Sequence, residues 1–295
     1  MAFECPLPIT EYDTITLGHG GGGKLSQQLV EQMFVPAFAN DVLSELHDGA
    51  MFPCYGGHVA FSTDSFVVRP RFFPGGNIGS LSVHGTVNDL AMCGARPLAL
   101  SSGFVLEEGF SMETLWRVVS SMRDAAEEAG VSIVTGDTKV VDRGKGDGLY
   151  VNTAGIGLVP EGVDVRPERM RPGDKVVLSG EIAVHGIAVM ARREGFVLES
   201  EVRSDSAALH ELVGGLLDVL GARVHVLRDP TRGGVASALN ELAEAAGVGV
   251  VIRESAIPVR EDVRGACEIL GFDPLYVANE GKCLAVVEAD AVDEA

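Results

Sequence analysis

Residues 62–97 read STDSFVVRPRFFPGGNIGSLSVHGTVNDLAMCGARP. The opening part belongs to an alternating, β-branched run, HVAFSTDSFVV at 58–68, which predicts a strand. PGG at 74–76 makes a turn. Residues 77–93 then predict a helix lined by Ile78, Leu81, Val87, Leu90 and Ala91. The strand carries one carboxylate, Asp64. The helix carries a second, Asp89, beside Asn88 and among small residues. A run that spends so many positions on Gly, Asn and Asp has the composition of a polyanion and metal site.

The same punctuation continues outward. Upstream, TITL at 14–17 predicts a short strand, residues 18–23 a glycine loop, and Leu25, Leu29 and Met33 a helix ending near Pro36. Downstream, the pattern predicts a strand at 97–106, an amphipathic helix at 111–129 and strands at 131–135 and 149–159. Residues 160–174 (PEGVDVRPERMRPGD) are Pro-rich, charged and aperiodic. They are the expected boundary between an N-terminal domain, 1–160, and a C-terminal domain, 161–295. The second half reads as strand 175–178, helices 183–194 and 206–220, strand 224–227, helix 234–246, strand 248–252 and helix 261–270. A strand pair, 275–278 and 283–287, closes it through a turn at 279–282. Strands and helices alternating in both halves make the chain α/β or α+β.

With 295 residues and 46% apolar content, the chain can bury a substantial core. A net charge of −19 argues against nucleic-acid and anionic-membrane partners. It is compatible with a nucleotide held by backbone N–H groups and Mg²⁺. The five cysteines form no CxxC pair, the pattern of a reduced, cytoplasmic protein. The N-terminus lacks the basic and apolar regions of a signal peptide, and no apolar run reaches membrane-spanning length.

Residues 18–24, GHGGGGK, satisfy the first part of a P-loop, but Leu25 stands where that motif needs Ser or Thr for Mg²⁺. The P-loop reading is therefore rejected. What survives is a loop in which His19, Gly20, Gly21 and Gly22 bring backbone donors near an anion, with a plain surface loop as the alternative. Asp64 in STDS, Asp89 in VND and Asp137 in TGDTK are short carboxylates in similar Gly, Ser, Thr and Asn settings. Together they suit Mg²⁺, whereas each alone reads as a turn former, a buried acceptor or a cap. If the segment is extended, Lys139, two residues after Asp137, points the same way and can neutralise phosphate or form a surface ion pair. RDPTRGG at 228–234, with Arg228, Asp229, Thr231 and Arg232, suits anion binding at a helix N-terminus or an ordinary strand-to-helix connection. Glu280 in NEGK is a candidate general base, although spacing alone favours a solvated turn residue.

HGGGG, TDSFVV, FFPGGNIG, HGTVNDLAMCGA, VTGDTKVV, RDPTRGG and DPLYVANEGK occur in this order between about residues 14 and 290. Together they closely resemble the HypE family of hydrogenase maturation proteins. That family lies within the superfamily of aminoimidazole ribonucleotide synthetase, selenophosphate synthetase and thiamine-monophosphate kinase. The resemblance implies a two-domain aminoimidazole ribonucleotide synthetase-like fold in which the N-terminal sheets of two subunits close a barrel. It implies an ATP-dependent dehydratase that turns a carbamoylated C-terminal cysteine into a thiocyanate, the source of the cyanide ligand on a nickel–iron hydrogenase's iron. The implied partners are the carbamoyltransferase HypF, the HypC–HypD complex and a second copy of the chain. The implied cofactors are ATP and Mg²⁺. Carried over by motif, Asp64, Asp89 and Asp137 would serve Mg–ATP. Lys139 and Glu280 would act at the carboxamide, Glu280 as the base, with Asp89 also close to the chemistry. The loops at 18–23 and 228–234 would hold phosphates, with Asn88, Arg228, Asp229, Thr231 and Arg232 among the ATP-binding residues. The family ends in Pro-Arg-Ile-Cys, whereas this chain ends in AVVEADAVDEA, and Cys283 lies in an expected strand. The expectation is a chain that binds Mg–ATP without itself carrying the thiocyanate. A non-catalytic, ATP-responsive partner in the maturation complex and a small-molecule synthetase of the superfamily are the alternatives.

Overall fold

The structure, a computed structural model, describes residues 23–37, 49–54, 57–196 and 201–295. It comprises two units, Met1–His47 and Asp48–Ala295. In the first, the helical spacing after the glycine loop is realised as α1 (Lys24–Leu29), a π-helical stretch (Val30–Phe34) and α2 (Val35–Ala37). The expected strand at 14–17 and the loop residues His19, Gly20, Gly21 and Gly22 lie outside the described residues.

The second unit rests on a five-stranded sheet of β1 (Ala50–Cys54), β2 (Gly57–Phe66), β5 (Arg96–Glu107), β6 (Ser132–Val141) and β7 (Leu149–Pro160). Their order is β1-β2-β7-β5-β6. Neighbours are antiparallel except β5 and β6, which run parallel because α4 (Met112–Glu128) crosses between them. Along β7, Leu149, Val151, Thr153 and Val159 are buried while Asn152, Ile156 and Leu158 are exposed. Among the described residues the sheet is therefore covered on one face.

A short hairpin, β3 (Phe72–Phe73) and β4 (Gly76–Asn77), leads into α3 (Ile78–Met92). Asn77 caps this helix: its Oδ1 accepts from the Gly79 and Ser80 backbone N–H groups at 2.8 and 3.4 Å. The Ser80 hydroxyl accepts in return from the Asn77 N–H at 3.2 Å. The helix has no polar face; Ile78, Val83, Val87, Leu90 and Met92 are all fully buried. Its glycine at 79 permits close approach to α4, since a Cβ there would stand 2.3 Å from the Val118 carbonyl oxygen. Toward the sheet, the Thr86 and Thr153 hydroxyls meet at 2.6 Å, and Thr153 Oγ1 donates to the Ser82 carbonyl at 2.9 Å.

Beyond residue 174, β8 (Lys175–Leu178), β9 (Val224–Arg228) and β10 (Leu284–Val287) form a sheet in the order β8-β10-β9. Around it stand α5 (Val184–Glu194), α6 (His210–Leu220), α7 (Gly234–Ala246) and α8 (Glu261–Leu270). The halves on either side of residues 160–174 share a core in which Ala91 and Met92 pack with Leu209, Val213 and Leu227.

Four expected elements differ. The strand expected at 131–135 runs on to Val141 as β6. No strand forms at 248–252; Val251 is 95% exposed just beyond the α7 cap Gly247, which has a φ of +66°. Residues 275–278 are not a strand either. Pro274, which lacks a ladder donor, opens a 3₁₀ turn at Pro274–Tyr276, capped by Asp273 Oδ1 on the Leu275 N–H at 2.9 Å. β10 pairs with β8 and β9 instead. The helix expected from 206 starts at His210, because residues 204–209 form no regular element and are held by other contacts. Gly79→Ala is expected to destabilise the chain by about 1–3 kcal/mol through overpacking against α4, read as a lower urea midpoint.

Candidate functional site

Four segments meet on the covered side of the sheet: the end of β2 with the middle of α3, residues 204–209, the 228–234 loop, and the turn at 279–282. Ser62 and Asp64 lie on the same side of β2, both toward α3. A Cβ at Gly85 would stand 2.8 Å from Phe66 Cζ, so the missing side chain admits the Phe66 ring, and Asp64 Oδ2 lies 3.8 Å from the same point over α3. One helical turn later, Asp89 Oδ2 accepts from the Ser62 hydroxyl at 2.7 Å. Asp64 and Asp89 thus line one strip between strand and helix.

The 228–234 loop reaches this strip through Arg232, whose Nη2 donates to Asp64 Oδ1 at 2.9 Å. Arg228 points the other way, pairing with Glu241 of α7 at 2.8 Å. Asp229 is buried at the end of β9, and Thr231 is half-buried where the chain turns into α7. Glu280 completes the group. It is half-buried as a residue, yet its Oε2 is sealed from solvent and has no hydrogen-bond partner among the described residues. Burial first, then the negative charges of Asp229, Asp64 and Asp205, push its carboxyl well above the ordinary glutamate range; Arg232 opposes them. The sealed carboxyl is therefore a stronger base than an exposed glutamate.

Asn88 also stands here, but both ends of its amide are occupied. Nδ2 donates to the Ala207 carbonyl at 3.0 Å, and Oδ1 accepts from the Leu209 N–H at 2.8 Å. Its place is to fix residues 207–209 to α3.

Asp137 and Lys139 are not brought to this strip within one chain. Asp64 lies in a cross-strand row with Thr153, Ser102 and Gly136, which faces α3. Asp137 lies in the next row, with Gly103, Asn152 and Ser65, which faces the opposite way. There Lys139 Nζ pairs with Asp137 at 2.7 Å, as the extended spacing requires. That hydrogen bond, with one from the Thr138 N–H, holds the Asp137 carboxyl below its usual range.

Asp64 and Asp89 are hard oxygen donors, and Mg²⁺ commonly takes one or two protein carboxylates with the rest from water and phosphate. That donor pair fits the ion. Among the described residues no set of three His, Cys, Asp or Glu side chains is placed to hold a metal without further ligands.

Sequence reasoning missed residues 204–209. Ser204 Oγ meets His185 Nδ1 at 2.8 Å, and Ser206 Oγ meets His84 Nδ1 at 2.9 Å. Burial lowers both imidazoles, His185 to about 4, so both are neutral hydrogen-bonding groups at pH 7. The signal was a Ser-Asp-Ser run at 204–206 with no helical stripe, which carries no chemistry until its partners are known.

The AIR synthase related protein family matches by its N-terminal domain over residues 46–159 and by its C-terminal domain over residues 171–295. The carbamoyl dehydratase HypE of Cupriavidus necator is 52% identical over 294 residues, covering 99% of this chain and 83% of that protein. That of Escherichia coli is 47% identical over 287 residues, covering 96% and 85%. Among solved structures, HypE in a HypE–HypF complex is 48% identical with a TM-score of 0.86, covering 90% of this chain and 86% of the other. HypE in complex with ATP is 48% identical with a TM-score of 0.79, covering 95% and 83%. Identity near one half over almost the whole chain, with both domains matched, places it: the chain belongs to the HypE family of hydrogenase maturation carbamoyl dehydratases.

Proposed function

We propose that the chain binds Mg–ATP and dehydrates an S-carbamoyl cysteine to a thiocyanate, supplying the cyanide ligand during nickel–iron hydrogenase maturation. The amide oxygen takes the γ-phosphoryl group of ATP, the C–O bond breaks with phosphate as the leaving group, and the nitrogen gives up its protons to leave S–C≡N. An amide oxygen leaves poorly and a phosphate leaves well, so the protein's task is alignment and charge neutralisation. The observation that carries this reading is the sealed, unpartnered Glu280 Oε2 beside the Asp64–Arg232 pair.

Each group has a role in this scheme. Glu280 takes a proton from the carboxamide nitrogen, a transfer favoured by a carboxyl that burial and negative neighbours raise well above the ordinary glutamate range. Arg232, Thr231 and the backbone at the start of α7 meet the phosphates, and Asp229 adds to the negative field that raises the basicity of Glu280. Asp64 and Asp89 would hold Mg²⁺, which would supply neutralisation of phosphate charge. Asp137 and Lys139 enter from a second copy, because the sheet face that carries them also exposes Phe61, Ile156 and Leu158 at 41–43%. A homodimer that closes two such faces together buries the apolar residues and can deliver the ion pair to a partner's site. HypF and the HypC–HypD complex are the proposed partners upstream and downstream. A cytoplasmic location fits this work, and no described helix is long and apolar enough to cross a membrane.

Glu280→Gln tests the base. With the folded pKa above 4.5, the native state holds more protons than the unfolded chain as pH rises past that value, so wild-type stability falls with rising pH. Gln cannot ionise. The variant should gain stability relative to wild type as pH rises above about 4.5, seen in urea unfolding between pH 4 and 8. It should also lose about 10²–10⁴-fold in thiocyanate formation from ATP and a peptide bearing S-carbamoyl cysteine, followed by mass spectrometry. Wild-type turnover by this variant removes Glu280 as the base. Ile156→Glu should convert a dimer into a folded monomer on size-exclusion chromatography with light scattering. It should lose turnover as well, because Asp137 and Lys139 no longer reach a partner.

A further inference from the structure

A carboxylate oxygen with no hydrogen bond of its own cannot fix its own aim. The aim of Glu280 must then come from its backbone, which is clamped on both sides. Upstream, Asn279 is held three times: Oδ1 accepts from the Ala183 N–H at 2.6 Å, and Nδ2 donates to the Pro230 and Val277 carbonyls at 3.1 and 3.0 Å. Downstream the clamp is the 204–209 strap. Gly281, with a φ of +72°, lies so close beneath it that a Cβ would stand 2.4 Å from the Asp205 carbonyl oxygen. Lys282 Nζ pairs with Asp205 Oδ2 at 2.7 Å, with the two side chains only 14% and 27% exposed. Its stem is seated on Gly180, where a Cβ would be 2.9 Å from Lys282 Cε.

The strap is itself anchored in both halves of the unit. The Ser204 N–H donates to the Pro74 carbonyl at 2.8 Å, and Asn88 holds residues 207–209. His185 and His84 meet Ser204 and Ser206. The anchors given above run through Ser204, Ser206, Ala207 and Leu209, whereas the Asp205 carboxylate pairs with Lys282.

We propose that Asp205, through its ion pair with Lys282, is a positioning residue for Glu280, and that the 204–209 strap is the seat against which the catalytic turn is set. The inference rests on the dehydratase reading and deepens it. Asp205 touches neither the carboxamide nor ATP; it acts by holding residues 280–282 in register, where a displacement of about 1 Å is enough to lower turnover roughly 100-fold.

The test is a double-mutant cycle, Asp205→Asn and Lys282→Met singly and together, in the full chain with ATP and the S-carbamoyl cysteine peptide. Each single variant should lower kcat by about 10- to 100-fold while leaving the KM for ATP within about twofold. The double variant should be no worse than either single one, because both act through one pair. If Asp205→Asn fails to fold, Lys282→Met is read alone, with the same kcat and KM criteria. Glu280→Gln is run beside them. If it abolishes turnover while both pair variants keep wild-type kcat, or if their losses fall on the KM for ATP, the positioning role is overturned and the dehydratase reading stands. If Glu280→Gln turns over normally, or wild type does not turn over, the reading and the inference fall together.

Discussion

Complete burial of α3 is the constraint on which the rest of the second unit depends. A helix buried on all sides cannot turn a polar face to water, so its polar residues must find partners inside the protein. Thr86 and Ser82 satisfy Thr153 of the sheet, Asp89 accepts from Ser62, and Asn88 holds the 207–209 backbone. The helix also needs small residues where neighbours crowd it, and Gly79 and Gly85 supply them against α4 and β2. The same residues that make α3 buriable thus link the sheet, the strap and the second half. The site forms at that junction because polar groups are already obliged to converge there.

Much of this was legible. A β-branched strand with Asp64, a PGG turn and an apolar helix with Asp89 each obey local rules, and β2, α3, α4 and α7 form within a residue or two of expectation. The strand expected at 275–278 was not legible, because the apolar run hides the effect of Pro274 on strand pairing. Nor was the strap: Ser204, Asp205 and Ser206 are ordinary polar residues until His185, Lys282 and His84 are placed against them. The face of Asp137 was unreadable for a different reason. Parity along a strand is local, but which parity faces α3 depends on register across three strand pairs and on the irregularity at Leu100/Ser101.

The electrostatics of the site follow from how its charges are shared. Arg232 compensates Asp64, Lys282 compensates Asp205, and Asp89 leans on a neutral hydroxyl. Neutral His84 and His185 add hydrogen bonds without adding charge. Glu280 is buried and left with a surplus of negative neighbours, so its carboxyl is held well above the ordinary glutamate range. An incoming cation would change this balance more than any protein movement, because it acts directly on the carboxylates that raise the pKa of Glu280.

Among the described strands β6 lies at an edge of the five-stranded sheet, where a row of backbone donors and acceptors has no neighbour. Such an edge invites foreign strands, and charged side chains on it discourage their addition. Val134 and Val140 are 65% exposed on this strand, and Asp137 and Lys139 stand between them. The pair therefore places charge on an edge strand between two exposed valines, the pattern that discourages an added strand. Selection on Lys139 and Asp137 would then act through solubility as well as chemistry, and apolar replacements there would reduce the amount of usable protein before any effect on rate could be felt.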